Sequence, residues 1–392
     1  MPKSTNNRRH VALIIETSSI YGRGLLSGIV RFMRMHDEWS VYLEQRDLAA
    51  KPPAWLKGWK GDGIISRATT ESLVEAVTAT GVPFVDLTDR HTDRGFTIVR
   101  SDDNAIGQLG AKHLLERGFR RFGFCGFTNE AWSERRQAAF QQAIRDAGFP
   151  CDAFRSVWQG PGVRTWDQET KHVAEWLRSI PRPFGVMACN DIRGQHVVDA
   201  CSSEGFAVPE EVSILGVDND DLLCRICDPP LTSVIANSEG VGYCAAEILS
   251  QLMQGSRPSE CEYLIEPLGI AERQSTDVIA IDDPALANAL QFIRKNACHG
   301  ISVDDVIANS AISRSSLERK LRKYLGRTPQ EEIRYVQVKR VQEMLSTTEL
   351  SLEKIAYLCG FDHPEYMYVV FKRQTGKTPG SFREQVLRGK SS

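Results

Sequence analysis

Short apolar runs and amphipathic stretches alternate along the first 270 residues of the chain. The apolar runs predict strands at residues 11–15, 41–44, 63–65, 84–85, 97–99, 122–125, 156–158, 184–188 and 212–217. Stretches with helical period predict helices between them, at residues 23–35, 72–80, 105–116, 134–147, 172–177 and 193–203. Strands and helices in alternation predict parallel sheets with helices on both faces. A region of about 260 residues favours two such α/β lobes with a cleft between them.

The pattern then becomes helical, and one supersecondary unit occurs twice. The two units span about residues 302–325 and 351–375, and a small residue, Ala311 or Gly360, occupies the turn of each. A small residue is needed there because the two helices approach closely. Two such units about 50 residues apart are an internal duplication. They predict an all-α domain with two helix-turn-helix units, the second helix of which enters the DNA major groove.

One helix is predicted to join the two units. Each unit ends in Gly, Arg or Lys, Thr and Pro, at residues 326–329 and 376–379, which predicts a helix stop, a threonine N-cap and a proline at the first helical position. From residue 329 to about 346, helical period is carried by Ile333, Val336, Val341, Met344 and Leu345. Roughly 17 residues span about 25 Å, so this helix can hold two reading helices near one turn of duplex apart, about 34 Å.

The charge of the chain is unevenly distributed. Its net charge is −2, but residues 285–392 carry 18 Lys and Arg against 11 Asp and Glu, a net charge of +7. The remaining residues carry 30 basic against 39 acidic side chains, a net charge of −9. A basic end on an acidic body favours a nucleic-acid interface at the C-terminal end, although a basic domain can also be merely well solvated.

Several functional classes find little support in the sequence. No secretory signal and no apolar run of about 18 residues is present. The pair Cys224 and Cys227 lacks a second cysteine pair or histidines at zinc spacing, so we expect no metal site. The ten cysteines are scattered along the chain, as buried thiols are, so we expect a reducing cytoplasmic compartment. Residues 22–28 imitate a dinucleotide fingerprint, but the third glycine falls one place late. We therefore expect no cofactor and, because no catalytic motif is evident, no enzyme activity.

Polar side chains follow several of the predicted strands. In parallel α/β sheets, ligands bind at the carboxyl ends of the strands. The candidate ligand-binding residues chosen in this way are Tyr21, Arg23, Asp102, Asp103, Trp132, Arg136, Asn190, Asp191 and Asp218. Carboxylates and arginines that converge on a cleft can bind vicinal hydroxyl groups of a sugar, and Trp132 would supply an apolar wall. Any one Asp or Asn at a helix start can instead be a simple N-cap.

The duplicated helical region resembles the DNA-binding domain of the AraC/XylS family. The resemblance covers residues 285–388 and includes both units and the run 371–379. In the first reading helix, spacing places Ser315, Glu318, Arg319 and Arg322 on one face, with Arg319 expected at guanine and Glu318 at cytosine. Arg314 and Lys323 are expected at phosphates. In the second unit the resemblance implies DNA contacts by His363, Pro364, Glu365, Tyr368 and Arg373, while Leu317, Leu321, Met367 and Phe371 are expected to be core.

Residues 11–270 resemble the sensor domain of the LacI/GalR family, which is of periplasmic-binding-protein type. The resemblance is carried by residues 21–29, 102–118, 136–140, 190–191 and 216–220. It implies that Asp102, Arg136, Asn190 or Asp191, and Asp218 contact the ligand. The chain departs from that family in one respect: the DNA-binding part follows the sensor.

Together the two resemblances imply a sugar-responsive transcriptional activator, with D-xylose as the expected effector. The expected organisation is a sensor at 1–275, a linker at 276–284 and a DNA-binding domain at 285–392. The linker is short and apolar, which favours coupling through packed contact. Expected partners are operator DNA, a second copy of the chain and RNA polymerase, with no membrane. The alternative is a sugar-binding or sugar-processing module that carries a protein-interaction domain.

Overall fold

The structure is a computed structural model that describes residues 8–36, 38–45, 51–67, 70–88, 95–158, 160–256, 258–278 and 283–390. It consists of two α/β lobes and a helical C-terminal domain, so the predicted fold class is confirmed. The described segments include no helix long and apolar enough to cross a membrane.

The first lobe is a six-stranded, fully parallel sheet in the order β11-β5-β4-β3-β1-β2. Its strands are β1 (Arg9–Ile14), β2 (Trp39–Leu43), β3 (Gly63–Ser66), β4 (Phe84–Asp86), β5 (Thr97–Ser101) and β11 (Glu262–Ile265), and its helices are α1 (Ile20–Met35), α2 (Glu71–Thr78) and α8 (Ser238–Met253). Helices α1 and α8 pack closely. A Cβ atom on Gly28 would lie 2.0 Å from the carbonyl oxygen of Glu239, so this glycine of the fingerprint-like run serves helix packing.

The second lobe is a six-stranded sheet in the order β12-β10-β9-β8-β6-β7. Its strands are β6 (Phe122–Thr128), β7 (Cys151–Val157), β8 (Phe184–Ala188), β9 (Val212–Val217), β10 (Thr232–Ile235) and β12 (Gly269–Ala271), and its helices are α3 (Asp103–Glu116), α4 (Ala131–Asp146), α5 (Trp166–Ser179), α6 (Asp191–Glu204) and α7 (Asp221–Ile226). Strand β12 is antiparallel to β10, which corrects the prediction of purely parallel sheets.

Two predicted elements are longer than their apolar patterns suggested. Strand β7 begins at Cys151 rather than at residue 156. It is a sheet edge, and all but one of its side chains are exposed or half-buried, so its first residues form no apolar run. Helix α5 begins at Trp166 rather than at residue 172. Its first turn is polar and is held by a capping box between Thr165 and Gln168.

The chain crosses between the lobes three times. It passes from β5 in the first sheet to α3 on the second, from β10 to α8, and from β11 to β12. The first and third crossings are joined, because the amide of Asp102 donates a hydrogen bond of 2.8 Å to the carbonyl of Ile265. Residues 102 and 103 therefore lie between the two lobes, after the end of β5 in the first lobe and at the start of α3 in the second.

The C-terminal domain contains seven helices within its described residues: α9 (Pro284–Asn296), α10 (Val303–Ala308), α11 (Arg314–Leu325), α12 (Pro329–Thr347), α13 (Leu352–Leu358), α14 (Pro364–Thr375) and α15 (Pro379–Lys390). The joining helix α12 is unbroken over 19 residues, as predicted. Thr328 and Glu331 form the capping box at its start, with hydrogen bonds of 3.2 and 2.8 Å. In the second turn Gly360 has φ of 75°, and a Cβ there would lie 2.8 Å from the backbone of Cys298.

Sensor and C-terminal domain are in polar contact. The short 3-10 helix Gln274–Thr276 lies against the second lobe, where Ser275 donates a hydrogen bond of 2.6 Å to the carbonyl of Ile214. The linker prediction covered residues 276–284, of which 279–282 lie outside the described residues. After the linker, Arg294 of α9 forms an ion pair with the buried carboxylate of Glu210 in the second lobe. The two domains are therefore joined by side chains as well as by the chain itself.

Candidate functional site

A cleft of about 670 Å³ is lined by residues of both lobes. This volume suits a small ligand. Its polar and aromatic lining includes Glu16, Tyr21, Arg23, Arg67, Arg100, Ser101, Asp103, Glu130, Trp132, Arg135, Arg136, Trp158, Asn190, Asp191, Asp218 and Asp220. Most of these residues lie at the carboxyl ends of strands or in the first turn of the following helix.

Asp103, at the start of α3, is the centre of a cluster of arginines. Arg136 Nε donates to one carboxylate oxygen at 2.9 Å, and Arg135 Nη2 donates to the other at 2.8 Å. Arg136 also donates to the carbonyl of Cys189 at 2.7 Å. Burial disfavours the charged guanidinium, but the carboxylates of Asp103 and Asp218 outweigh it and raise the pKa of Arg136. A fixed cation therefore stands in the wall of the cleft.

Two further carboxyl groups in the cleft titrate near neutral pH. Burial raises the pKa of Asp218 to about 6, although Arg136 and Arg67 oppose this shift. Burial and the charge of Asp218 raise the pKa of Asp191 to about 8. Asp191 accepts hydrogen bonds from the hydroxyl of Ser233 at 2.6 Å and from the amide of Asp220 at 2.7 Å. Asp218 has a φ of 102°, a strained conformation of the kind that clusters at ligand sites.

The first lobe contributes a buried ion pair between Glu16 and Arg67. Among the described residues, Glu16 Oε2 and Arg67 Nε are buried without a hydrogen-bond partner. Leaving buried polar atoms unpaired is costly, so a ligand with hydroxyl groups that reached them would be stabilised. The hydroxyl of Tyr21 lies 2.9 Å from Ser101 Oγ, and the Arg67 guanidinium lies 5.2 Å from the Tyr21 ring centroid.

Aromatic rings form the opposite wall. The rings of Trp132 and Trp158 meet edge to face at 5.8 Å, and Trp158 stacks on Phe127 at 5.3 Å. The Trp132 indole donates a hydrogen bond of 2.9 Å to Glu130, and Arg136 lies 5.0 Å from its ring centroid. Rigid aromatic faces beside charged groups suit a ligand with both C–H and O–H surfaces.

Eight of the nine predicted ligand residues line the cleft: Tyr21, Arg23, Asp103, Trp132, Arg136, Asn190, Asp191 and Asp218. Asp102 is not among the lining residues, because its carboxylate caps α3 by accepting from the amide of Ala105 at 2.9 Å. Asn190 both lines the cleft and caps α6, through the amide of Arg193 at 2.9 Å. Arg23 donates to the carbonyls of Thr17 and Ser18, so it stabilises the loop at the mouth.

Sequence reasoning missed four lining residues that the same strand-end rule could have found. Glu16 and Arg67 follow β1 and β3, and Thr88 and Trp158 follow β4 and β7. The predicted set contains no residue directly after β1, β3, β4 or β7, although the strand-end rule covers these positions. Applied to every strand, it would have added the ion pair and the second tryptophan.

The first helix-turn-helix unit presents a basic surface. All six predicted contact residues of α11 are exposed: Arg314, Ser315, Glu318, Arg319, Arg322 and Lys323. The opposite face packs into the core through Leu317 and Leu321, as expected. Arg314 forms an ion pair with the exposed Asp304 of α10. The polar face of α11 is therefore exposed to solvent.

The second unit is less polar. His363, Glu365 and Tyr368 are exposed and Pro364 is half-buried, while Met367 and Phe371 are core. Val369 is 63% exposed on the same helix, at a position where a base-reading unit would favour a polar side chain. Arg373 lies at the end of α14 and lines a concavity of about 610 Å³, together with Arg327, Lys339 and Lys377.

The described residues contain no group of three or more His, Cys, Asp or Glu side chains placed to hold a metal ion. Cys224 and Cys227 are free thiols, and burial raises the pKa of both, that of Cys227 to about 12.

A two-lobed cleft followed by paired helix-turn-helix units on one continuous helix defines a ligand-sensing DNA-binding regulator. The protein-family models that match the chain describe the same two parts, a sensor and a helix-turn-helix domain. Residues 10–95 match the XylR N-terminal domain, residues 111–276 the periplasmic binding protein-like domain, and residues 307–385 a helix-turn-helix domain.

The chain is similar to the xylose operon regulatory proteins of Escherichia coli K12 and Haemophilus influenzae. It is 28% identical to each, over 96% of this chain and 97% of the first protein, and over 95% of this chain and 97% of the second. A solved structure of "xylose-binding transcription activator xylR" superposes with a TM-score of 0.83 at 27% identity, covering 97% of this chain and 98% of that one. The chain is therefore a transcription regulator with an AraC-type DNA-binding domain and a LacI/GalR-like sensor.

Proposed function

We propose that the chain is a D-xylose-responsive transcriptional activator that binds the sugar in the cleft and operator DNA through α11 and α14. The observation that carries the proposal is that one chain joins a cleft with unpaired buried polar atoms to a duplicated helix-turn-helix domain. The names of its full-length relatives, which refer to xylose, support the choice of sugar.

The lining chemistry suits a pentose. A sugar hydroxyl can accept from a guanidinium and donate to a carboxylate at the same time. Arg136 with Asp218, and Arg67 with Glu16, place such groups side by side, the first pair 3.8 Å apart. Trp132 and Trp158 are the rings on which the C–H face of the sugar packs. The nine predicted ligand residues are retained in this proposal except Asp102, to which we give the capping role.

At the operator, Arg319 pairs with guanine and Glu318 accepts from cytosine, while Arg314 and Lys323 neutralise phosphates. The second unit contributes His363, Pro364, Glu365, Tyr368 and Arg373. Because the exposed face of α14 carries the apolar Val369, we assign this unit mainly to backbone contact.

The remaining proposals concern assembly and compartment. The resemblance to the family supports a homodimer with one reader domain on each half-site, and activation requires a contact with RNA polymerase. The protein works in the cytoplasm, where its DNA lies, and catalyses no reaction. The domains are the sensor at 1–275, the linker at 276–284 and the DNA-binding domain at 285–392.

Two measurements test the proposal. Calorimetry with D-xylose, L-arabinose, D-ribose and D-glucose should give saturable heat with D-xylose and weaker binding of the others. Titration of operator duplex at two salt concentrations should show a steep loss of affinity with salt, because phosphate contacts release counterions. If D-xylose does not bind, the assignment of D-xylose as the effector is refuted. If the duplex does not bind at either salt concentration, the DNA-binding role is refuted.

A further inference from the structure

Two cysteines meet beside the turn of the second helix-turn-helix unit. Cys298 lies in the 3-10 turn that follows α9, and Cys359 is the C-cap of α13. The backbones are in contact, because a Cβ on Gly360 would lie 2.8 Å from the carbonyl carbon and oxygen of Cys298. Gln337 of α12 bridges the two segments, donating to the carbonyls of Ala297 at 2.8 Å and of Gly360 at 3.0 Å. The two thiols are therefore held together by a rigid frame.

The surroundings of the pair lower the pKa of the Cys298 thiol. Cys298 packs against the hydrophobic cluster that contains Cys359, and the Cys359 thiol donates a hydrogen bond of 3.7 Å to Met344 Sδ. The interaction between the two cysteines lowers the pKa of Cys298 and raises that of Cys359. Arg340 of α12 stabilises a negative charge at this place, and Glu343 opposes it. Cys298 is half-buried and Cys359 is buried. A half-buried thiol with a lowered pKa beside a second thiol is the arrangement of a redox-sensitive pair.

The other close pair in the sequence has the opposite character. Burial raises the pKa of Cys224 and of Cys227, so both remain protonated thiols at neutral pH. The Cys227 thiol donates a hydrogen bond of 3.3 Å to the carbonyl of Leu223. Because the thiolate is the nucleophile, an oxidant should react first at Cys298 and not in this CxxC pair.

We propose that Cys298 and Cys359 form a disulfide when the protein meets a hydroperoxide, and that this bond lowers affinity for DNA. The Cys298 thiolate attacks the O–O bond, forming a sulfenic acid and, with one proton, releasing water or an alcohol. The Cys359 thiol then attacks the sulfenic sulphur, the S–O bond breaks, and water leaves with the thiol proton. Two thiols are oxidised and one peroxide is reduced.

The effect on DNA binding rests on the proposed function. Closing the bond draws the end of α13 towards the turn after α9, yet the Gly360 backbone already touches Cys298. Helix α13 must therefore shift along α12, and α14 moves with it because Met367 and Phe371 pack in the same core as Cys359. The two reading helices then lose the common register that one duplex requires.

Mass spectrometry of the full chain tests the bond. Trypsin places Cys298 in the peptide 296–314 and Cys359 in the peptide 355–372. After one to five equivalents of hydrogen peroxide and alkylation, we expect these two peptides to be cross-linked. In the same samples, operator affinity should fall at least tenfold and recover with dithiothreitol.

Matched variants decide the outcome. Cys298→Ser and Cys359→Ser should give no cross-link and a peroxide-insensitive affinity, whereas Cys261→Ser, at an exposed cysteine of the sensor, should behave as the wild type. A cross-link elsewhere, oxidation of Cys298 without a cross-link, or a cross-link that leaves affinity unchanged overturns the inference. Duplex binding by the reduced protein is a separate result that bears only on the proposed function.

Discussion

The phenolic oxygen of Tyr335 in α12 lies 2.9 Å from both carboxylate oxygens of Asp277, the residue that follows the last short helix of the sensor. Arg294 donates to the backbone carbonyl of the same Asp277 and pairs with Glu210. The joining helix that braces both reading units is thus tied by a side chain to the linker, directly after the sensor. This hydrogen bond offers a path by which a displacement of Asp277 would act on that helix.

Helix α3 links this contact to the cleft. It begins at Asp103, which is held by the arginine cluster of the ligand site. Near its other end, the His113 ring lies 3.0 Å from the Thr276 hydroxyl, and Arg117, the C-cap, donates to the Thr276 carbonyl at 2.6 Å. A packed helix with one end at the ligand and the other beside Asp277 is a physical route for coupling.

Tyr335→Phe should weaken the response of DNA binding to sugar. The substitution removes the hydrogen bond to Asp277 and keeps the ring on which Arg327 lies at 3.8 Å. One hydrogen bond to a charged group contributes about 1.5–3 kcal/mol, and a tenfold change in affinity corresponds to about 1.4 kcal/mol, so we expect the ratio of operator affinities with and without D-xylose to fall towards one. Sugar affinity measured by calorimetry should change little. Tyr357→Phe, on an exposed ring of α13, is the control. An unchanged ratio in Tyr335→Phe would show that coupling takes another route.

Asp218→Asn should reduce sugar affinity and leave DNA binding intact. The amide keeps the size of the side chain, but it replaces one acceptor oxygen with a donor and carries no negative charge to attract Arg136, so we expect a loss of about 1.5–3 kcal/mol, or 10- to 100-fold. Asp102→Asn is the matched control, because asparagine caps a helix equally well and this residue lies outside the cleft lining. Calorimetry with D-xylose should give a wild-type value for that control. Equal losses in both variants would refute the placement of the site.

Arg319→Ala should cost about 1–3 kcal/mol at the operator and relax specificity at one base pair. Lys323→Ala should instead weaken binding to all DNA sequences. It should also reduce the slope of log affinity against log salt concentration by about one. Arg145→Ala, at an exposed position of the sensor, should have neither effect. Titrations of operator and scrambled duplex at two salt concentrations separate the three outcomes. Wild-type operator affinity in Arg319→Ala would mean that α11 is not the reading helix.

Stability should depend on pH through Asp191. Its folded pKa is raised to about 8 by burial, while an unfolded aspartate titrates near pH 4. The stability it contributes is therefore fully present below about pH 4 and is lost as the pH rises towards 8, at up to about 1.4 kcal/mol per unit. Urea midpoints at pH 5.5, 7 and 8.5 should fall more steeply for the wild type than for Asp191→Asn. The exposed variant Asp152→Asn should follow the wild type, and parallel curves for all three would exclude a buried neutral Asp191.

The bounds of the two helix-turn-helix units and of the joining helix could be predicted closely, because their signals are local. The start of α12 is specified by the capping residues Thr328, Pro329 and Glu331. The turn of the second unit is marked by Gly360, which has a positive φ that other residues avoid. Apolar period then separates Leu317 and Leu321 from the exposed face of α11.

The sensor was predictable only in outline, because its site depends on contacts that are distant in sequence. The strand-end rule located Asp103 and Asp218, yet it could not distinguish Asp102, which caps a helix, from its neighbour. The three crossings between lobes and the antiparallel β12 leave no periodic signal. The contact of Asp277 with Tyr335 joins residues 58 positions apart, and only the packed structure brings them together.

The measurement that tests the central claim most directly is operator affinity of the wild-type chain with and without saturating D-xylose, at constant salt. The cleft and the two reading helices are connected through α3, Asp277 and α12, so sugar binding should change operator affinity at least tenfold, within the usual range of coupling free energies. The same change should be absent with D-glucose. Equal affinities with and without D-xylose, in a protein that binds both ligands, would contradict the account.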